Sequence, residues 1–127
     1  MSFTNFLETE ILDHVFAGAA YTAPSTKYLA LFTAIANGET GSVTELSGDA
    51  YARQTVAFTT SGDTTSNSGA VEFPTATGSW GTVTHVGVYD AASSGNLMCY
   101  ATLTASKAIA AGDVFRVPAG DLDITLN

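Results

Sequence analysis

The stretch TVTHVGVYDAASSGNLMCYATLT, residues 82–104, decides the fold. Thr82 to Tyr89 is rich in β-branched and aromatic residues, and Leu97 to Thr104 forms a second such run. Ala91 to Asn96 supplies Ser, Gly and Asn between them, the residues of a turn. Two β-prone runs joined by a short polar connection predict an antiparallel hairpin.

Working upstream, Tyr51 to Thr60 (YARQTVAFTT) alternates, with Ala52, Gln54, Val56 and Phe58 opposing Tyr51, Arg53, Thr55 and Ala57. Lys27 to Ala34 (KYLALFTA) is apolar on both alternating faces, Tyr28, Ala30 and Phe32 on one, Leu29, Leu31 and Thr33 on the other. That pattern predicts a strand covered on both sides. A short strand is expected near Val43, and another at Ala70 to Phe73, stopped by Pro74. Ser61 to Gly69 reads as a polar turn cluster. Downstream, Lys107 to Ile109, Val114 to Val117 and the alternation Leu122, Ile124, Leu126 extend the series. Seven or eight short strands at even spacing predict a mainly all-β fold, an antiparallel β-sandwich or jelly-roll-like domain.

One segment departs from this pattern. Phe6, Leu7, Ile11, Leu12, Val15 and Phe16 recur at helical spacing, and residues 5–17 are expected as an amphipathic helix. Asn5 with Glu8 is a capping-box pattern, and Gly18 is the stop signal. A helix this short is marginal alone in water, so its apolar stripe must dock. Its seat is either the chain's own β core or a neighbouring subunit. The expected organisation is an N-terminal helical arm over residues 1–20 and a single β-sandwich domain over residues 21–127.

Composition narrows the function. The chain has 127 residues with 12 acidic against 4 basic side chains, a formal charge of -8. Lys27, Arg53, Lys107 and Arg116 are scattered. This balance argues against nucleic acid and against an anionic membrane surface as partners. Charged residues are 13% of the chain, about half the usual share, with Ala, Thr, Gly and Ser in their place. Such a surface suits a protein partly covered in an assembly. No apolar run reaches the roughly 18–20 residues of a membrane span, and the N-terminal residues lack the basic start of a signal peptide. Synthesis in the cytosol is expected.

Catalytic, metal and cofactor signatures are missing. Neither a nucleophile elbow nor a phosphate-binding glycine loop occurs, and His14 and His85 lack ligand spacing. Cys99, the one cysteine, lies in an apolar run and reads as a small buried hydrophobe. Asp121 and Asp123 share one strand face, which suits solvent. The expectation is a non-enzyme with no catalytic, metal or cofactor-binding residues. Trp80, between Gly78 and Gly81, either caps the open end of the core or stands out as an interface anchor.

YARQTVAF, SNSGAVEFPTATGSWGTVTHVGVYDAASSGNLMCYATL and GDVFRVPAGDLDITL resemble a family of small tailed-bacteriophage virion structural proteins, often labelled tail fibre. FTNFLETEILDHVF and KYLALFTA are similar to it too, and WGTVTHVGVYDA is the most specific piece. The resemblance implies a virion component made in the host bacterial cytoplasm. Its size and acidity also resemble capsid decoration, or cement, proteins. The leading expectation is therefore a decoration protein bridging shell subunits as a homo-oligomer, dimer or trimer, with the major capsid protein or other virion proteins as partners. The alternative is a tail or tail-fibre-associated protein or adhesin, with Trp80, Tyr51, Tyr89 and Asn96 as a sugar platform. The candidate interface residues are Phe3, Phe6, Leu7, Tyr51, Trp80 and Tyr89.

Overall fold

The computed structural model describes residues 1–126. β1 (Ser2–Phe3) leads into α1 (Asn5–Phe16), followed by β2 (Lys27–Asn37), β3 (Ser42–Glu45), β4 (Gln54–Val56), β5 (Phe58–Ser61) and β6 (Thr64–Asn67). After β7 (Val71–Glu72) come β8 (Gly81–Tyr89), β9 (Leu97–Ile109), β10 (Arg116–Val117) and β11 (Asp123–Thr125). The main sheet has six strands in the order β1-β9-β8-β2-β3, with β4 also on β2. A three-stranded sheet, β11-β6-β5, and a two-stranded one, β10-β7, complete the fold. Every pairing is antiparallel, as expected of the sandwich.

The hairpin β8–β9 forms as read. β2 lies against β8 rather than at an edge, and Leu29, Ala30, Leu31 and Phe32 are all 0% exposed. Leu29 and Leu31 join the large core with Val83, Val86, Val88, Trp80 and the buried residues of β7, β10 and the approach to β11. Ala30 and Phe32 join a second cluster with Tyr89 and Leu97. Gly87 makes this second cluster possible. A side-chain carbon there would come within 2.7 Å of Phe32 and Leu97. Glycine in a strand interior thus marks close approach across a face.

Four boundaries differ from the sequence reading. Ser2–Phe3 pairs with Tyr100 and Cys99, a strand too short to carry a pattern. The run 51–60 divides at Ala57, because β4 pairs with β2 while β5 pairs with β6, so the chain changes sheets there. Residues 64–67, inside the expected turn cluster, form β6 at the centre of the three-stranded sheet. Residues 97–104 and 107–109 are one strand. Val83 opposes Lys107 and His85 opposes Thr102, so 103–106 bulge out opposite Thr84.

The helix starts at Asn5 as expected, and its cap lies one residue before the expected one. Thr4, not Asn5, is the N-cap, its Oγ1 accepting from the Leu7 N–H at 3.4 Å and donating to the Leu97 carbonyl at 2.6 Å. Main-chain bonds from Thr4 to Met98 (2.9 Å) and from Asn5 to Glu39 (3.0 Å) fix the first turn on the sheet. Gly18, at φ 74°, turns the chain so that the Ala19 N–H reaches the Asp13 carbonyl, ending the helix where its stop signal lies.

Candidate interaction surface

The six expected interface residues all pack on the chain's own body. Phe3, Phe6 and Leu7 are half-buried against the large core. Tyr51 stacks on Phe73 with ring centres 6.1 Å apart and meets Trp80 edge-on at 5.6 Å. Trp80 is buried and its Nε1–H donates to the Asp49 carbonyl at 2.9 Å. Asp49 and Ala50 have positive φ (52° and 70°), a left-handed turn beneath the indole. Of the two roles read for Trp80, the geometry carries the core cap. Tyr89 is buried, edge-on to Phe32, with the Arg53 guanidinium carbon 3.5 Å from its ring centre. Trp80, Tyr51 and Tyr89 therefore do not form an exposed sugar platform with Asn96, whose amide donates to Asp90 at 2.9 Å.

Arg53 organises a polar network. It grips Glu45 through Nε (2.9 Å) and Nη2 (2.8 Å), while Nη1 donates to the carbonyls of Ala91 (2.9 Å) and Ser94 (2.8 Å). The Tyr51 hydroxyl donates to Glu45 at 2.6 Å and accepts from the Leu31 N–H at 3.1 Å. Burial and the Glu45 bond hold the Tyr51 hydroxyl far above its ordinary range. For Arg53, burial opposes the charge but the Glu45 pairing outweighs it, and the guanidinium holds its proton more tightly than usual. This network ties β3, the 46–53 loop and the β8–β9 turn. A cleft of about 460 Å³ opens above it, lined in part by Asn5, Glu39, Arg53, Tyr89 and Asn96. The Arg53 guanidinium that lines it already has partners on both terminal nitrogens.

Cys99 is buried, and burial pushes its thiol up to about 12. His14 Nδ1 accepts from the Tyr21 N–H at 3.0 Å, whereas His85 lies on β8 with Nδ1 2.7 Å from the Thr84 hydroxyl. Asp121 and Asp123 are exposed, and Asp123 accepts from Ser66. No group of three or more His, Cys, Asp or Glu side chains gathers with metal-binding geometry among these residues. No helix among them is long and apolar enough to cross a membrane.

What stands free is apolar. Leu12 is 57% exposed, Val15 60% and Phe16 81%. Spaced i, i+3, i+4, they form one ridge on the second half of α1. Sequence reading placed them on one stripe with Phe6, Leu7 and Ile11. At 100° per residue the stripe is too wide for one contact, and only its earlier members reach the core. Their exposure had no local sequence signal, because apolar residues on both sides of a short helix do not say which side docks.

No curated protein matches the chain. A profile of the family described as Podophage GP4 fiber I protein gp80 matches residues 2–125. That span takes in both helix and sandwich, and it supports the tail-fibre alternative better than capsid decoration. The chain thus belongs to the podophage fiber I family, a family of tailed-phage virion structural proteins, and its place is the virion.

Proposed function

We propose that this chain is a non-enzymatic component of the tail-fibre apparatus, acting through packing against other virion proteins. The family match over residues 2–125 carries the reading. Its chemistry is consistent: the ion pair of Arg53 with Glu45 belongs to a structural network, and the cysteine is buried in the core. The helical arm, residues 1–20, and the sandwich, residues 21–127, act as one unit in this reading, since Phe3, Phe6 and Leu7 pack on the sandwich core. Association into homo-dimers or trimers belongs to the same proposal, and sedimentation velocity measures it.

Immunogold labelling of intact virions with antibody to the purified chain tests the location. Gold at the tail is the expected result. Gold spread over the shell would return the assignment to capsid decoration.

A further inference from the structure

We infer that the outer ridge of α1, Leu12, Val15 and Phe16, is a plug that seats in an apolar groove rimmed by Lys or Arg on another virion protein. The inference rests on the virion reading and adds the element that makes the contact and the chemistry of its partner. Among the described residues, three of the five large hydrophobic side chains that are exposed lie on this half-helix. Its first turn is pinned by Thr4 and Asn5 to Leu97, Met98 and Glu39, so the ridge is held out in a fixed orientation. A preformed helix with anchors at i, i+3 and i+4 is the recognition element of helix-in-groove contacts, and fixing it beforehand lowers the cost of binding.

Charge selects the partner. Residues 1–26 contain Glu8, Glu10 and Asp13 but neither Lys nor Arg. Glu8 lies one turn before Leu12 on the same row of the helix, and Asp13 follows Leu12 directly. Two copies meeting ridge to ridge would place these carboxylates against each other. A single helix of about 18 Å laid beside its copy also buries far less than the roughly 800 Å² per partner of a stable interface. A groove that encloses the helix on three sides gains more area from the same ridge, and a basic rim satisfies its flanking carboxylates.

The test uses virions assembled without this chain, incubated with the purified full-length protein and pelleted to measure the amount bound. Leu12→Ser/Phe16→Ser and the single variant Phe16→Glu are compared with wild type. These side chains are exposed, so melting temperatures should match, with Phe16→Glu least exposed to any folding penalty. Both variants should bind at least ten-fold more weakly. Glu8→Lys/Asp13→Lys should also lose binding. A photo-crosslinking residue in place of Phe16 should label an apolar site bordered by Lys or Arg on a different virion protein. Equal loading of folded wild type and variants overturns the plug while leaving the fibre reading intact. Crosslinking to a second copy, or a self-association abolished by Phe16→Glu, also overturns it. Failure of wild type to load overturns both.

Discussion

Asn67 is the residue that turns a row of serines and threonines into structure. It is 2% exposed, and every side-chain polar atom is used. Its Nδ2 donates to the carbonyls of Gly69 and Pro118, both at 2.9 Å, and its Oδ1 accepts from the Leu122 N–H at 2.9 Å. Asn67→Ala removes three hydrogen bonds, at about 0.5–1.5 kcal/mol each, and leaves the N–H of the buried Leu122 without its partner. A loss of at least about 2 kcal/mol is expected in urea denaturation; a change within 0.5 kcal/mol, on the scale of ordinary surface substitutions, would refute this role. Nothing in the local sequence distinguishes Asn67 from its neighbours, because its three partners lie up to 55 residues away. Cys99 is the opposite case, legible from its apolar neighbours. The unfolded thiol ionises near 9.0 and the folded one near about 12. Between those values the unfolded state holds fewer protons, so stability falls as pH rises. Tyr51 and Tyr89, also raised, act in the same direction above their ordinary value of 10.0. Melting temperature should decline from pH 9 upward, with a shallower initial slope in Cys99→Ala. At pH 8 the native thiol should resist a disulfide reagent that modifies the unfolded chain at once.

Among the elements, β2 and the β8–β9 hairpin were legible because burial leaves its mark in the side chains, on both faces of β2 and along Val86 to Tyr89 of β8. β6 was not, because its side chains are mostly hydroxyls that bond across the strands rather than an apolar face. Thr60 donates to Thr65 at 3.0 Å, and Thr64 meets Thr125 at 2.9 Å. A polar strand of this kind has the composition of a turn, and only its distant partner β11 separates the two. The helix was legible in extent, while its cap was displaced by one residue to Thr4. Thr4→Ala removes both the cap and the bond to the Leu97 carbonyl. The expected cost is about 1–2 kcal/mol, in the range of N-cap losses, read as a shift in chemical denaturation with unchanged slope. Thr4→Ser keeps the hydroxyl and should recover most of it. Truncation of residues 1–18 is a harsher version, since it strips Phe3, Phe6 and Leu7 from the core. At roughly 1.5–3 kcal/mol for each large side chain, it should destabilise the sandwich by several kcal/mol. An unchanged melting temperature would show that these three contacts contribute nothing.

At the level of the whole molecule, the topology sets how the chain reaches this state. Ser2 and Phe3 pair with Tyr100 and Cys99, β11 pairs with β6, and the amino terminus donates to the Asp123 carbonyl 122 residues away. Few of these contacts can form before distant segments meet, so loop-closure entropy precedes the reward of burial. Sandwiches of this kind fold in roughly milliseconds to seconds rather than microseconds. The protein carries its own probe. Trp80 is the only tryptophan, buried at the end of the core between Tyr51 and Asp49, two contacts contributed by another loop. Because the first turn of α1, the 46–53 loop and both smaller sheets all border one core, unfolding should be a single transition. Tryptophan emission, which reports that corner, and far-ultraviolet circular dichroism, which reports the strands, should therefore give coincident denaturation curves. Stopped-flow refolding followed by Trp80 should be a single slow phase in the millisecond-to-second range. A tryptophan transition that precedes the loss of strand signal would mean that the Trp80 corner opens on its own, and that arm and sandwich do not share one cooperative core.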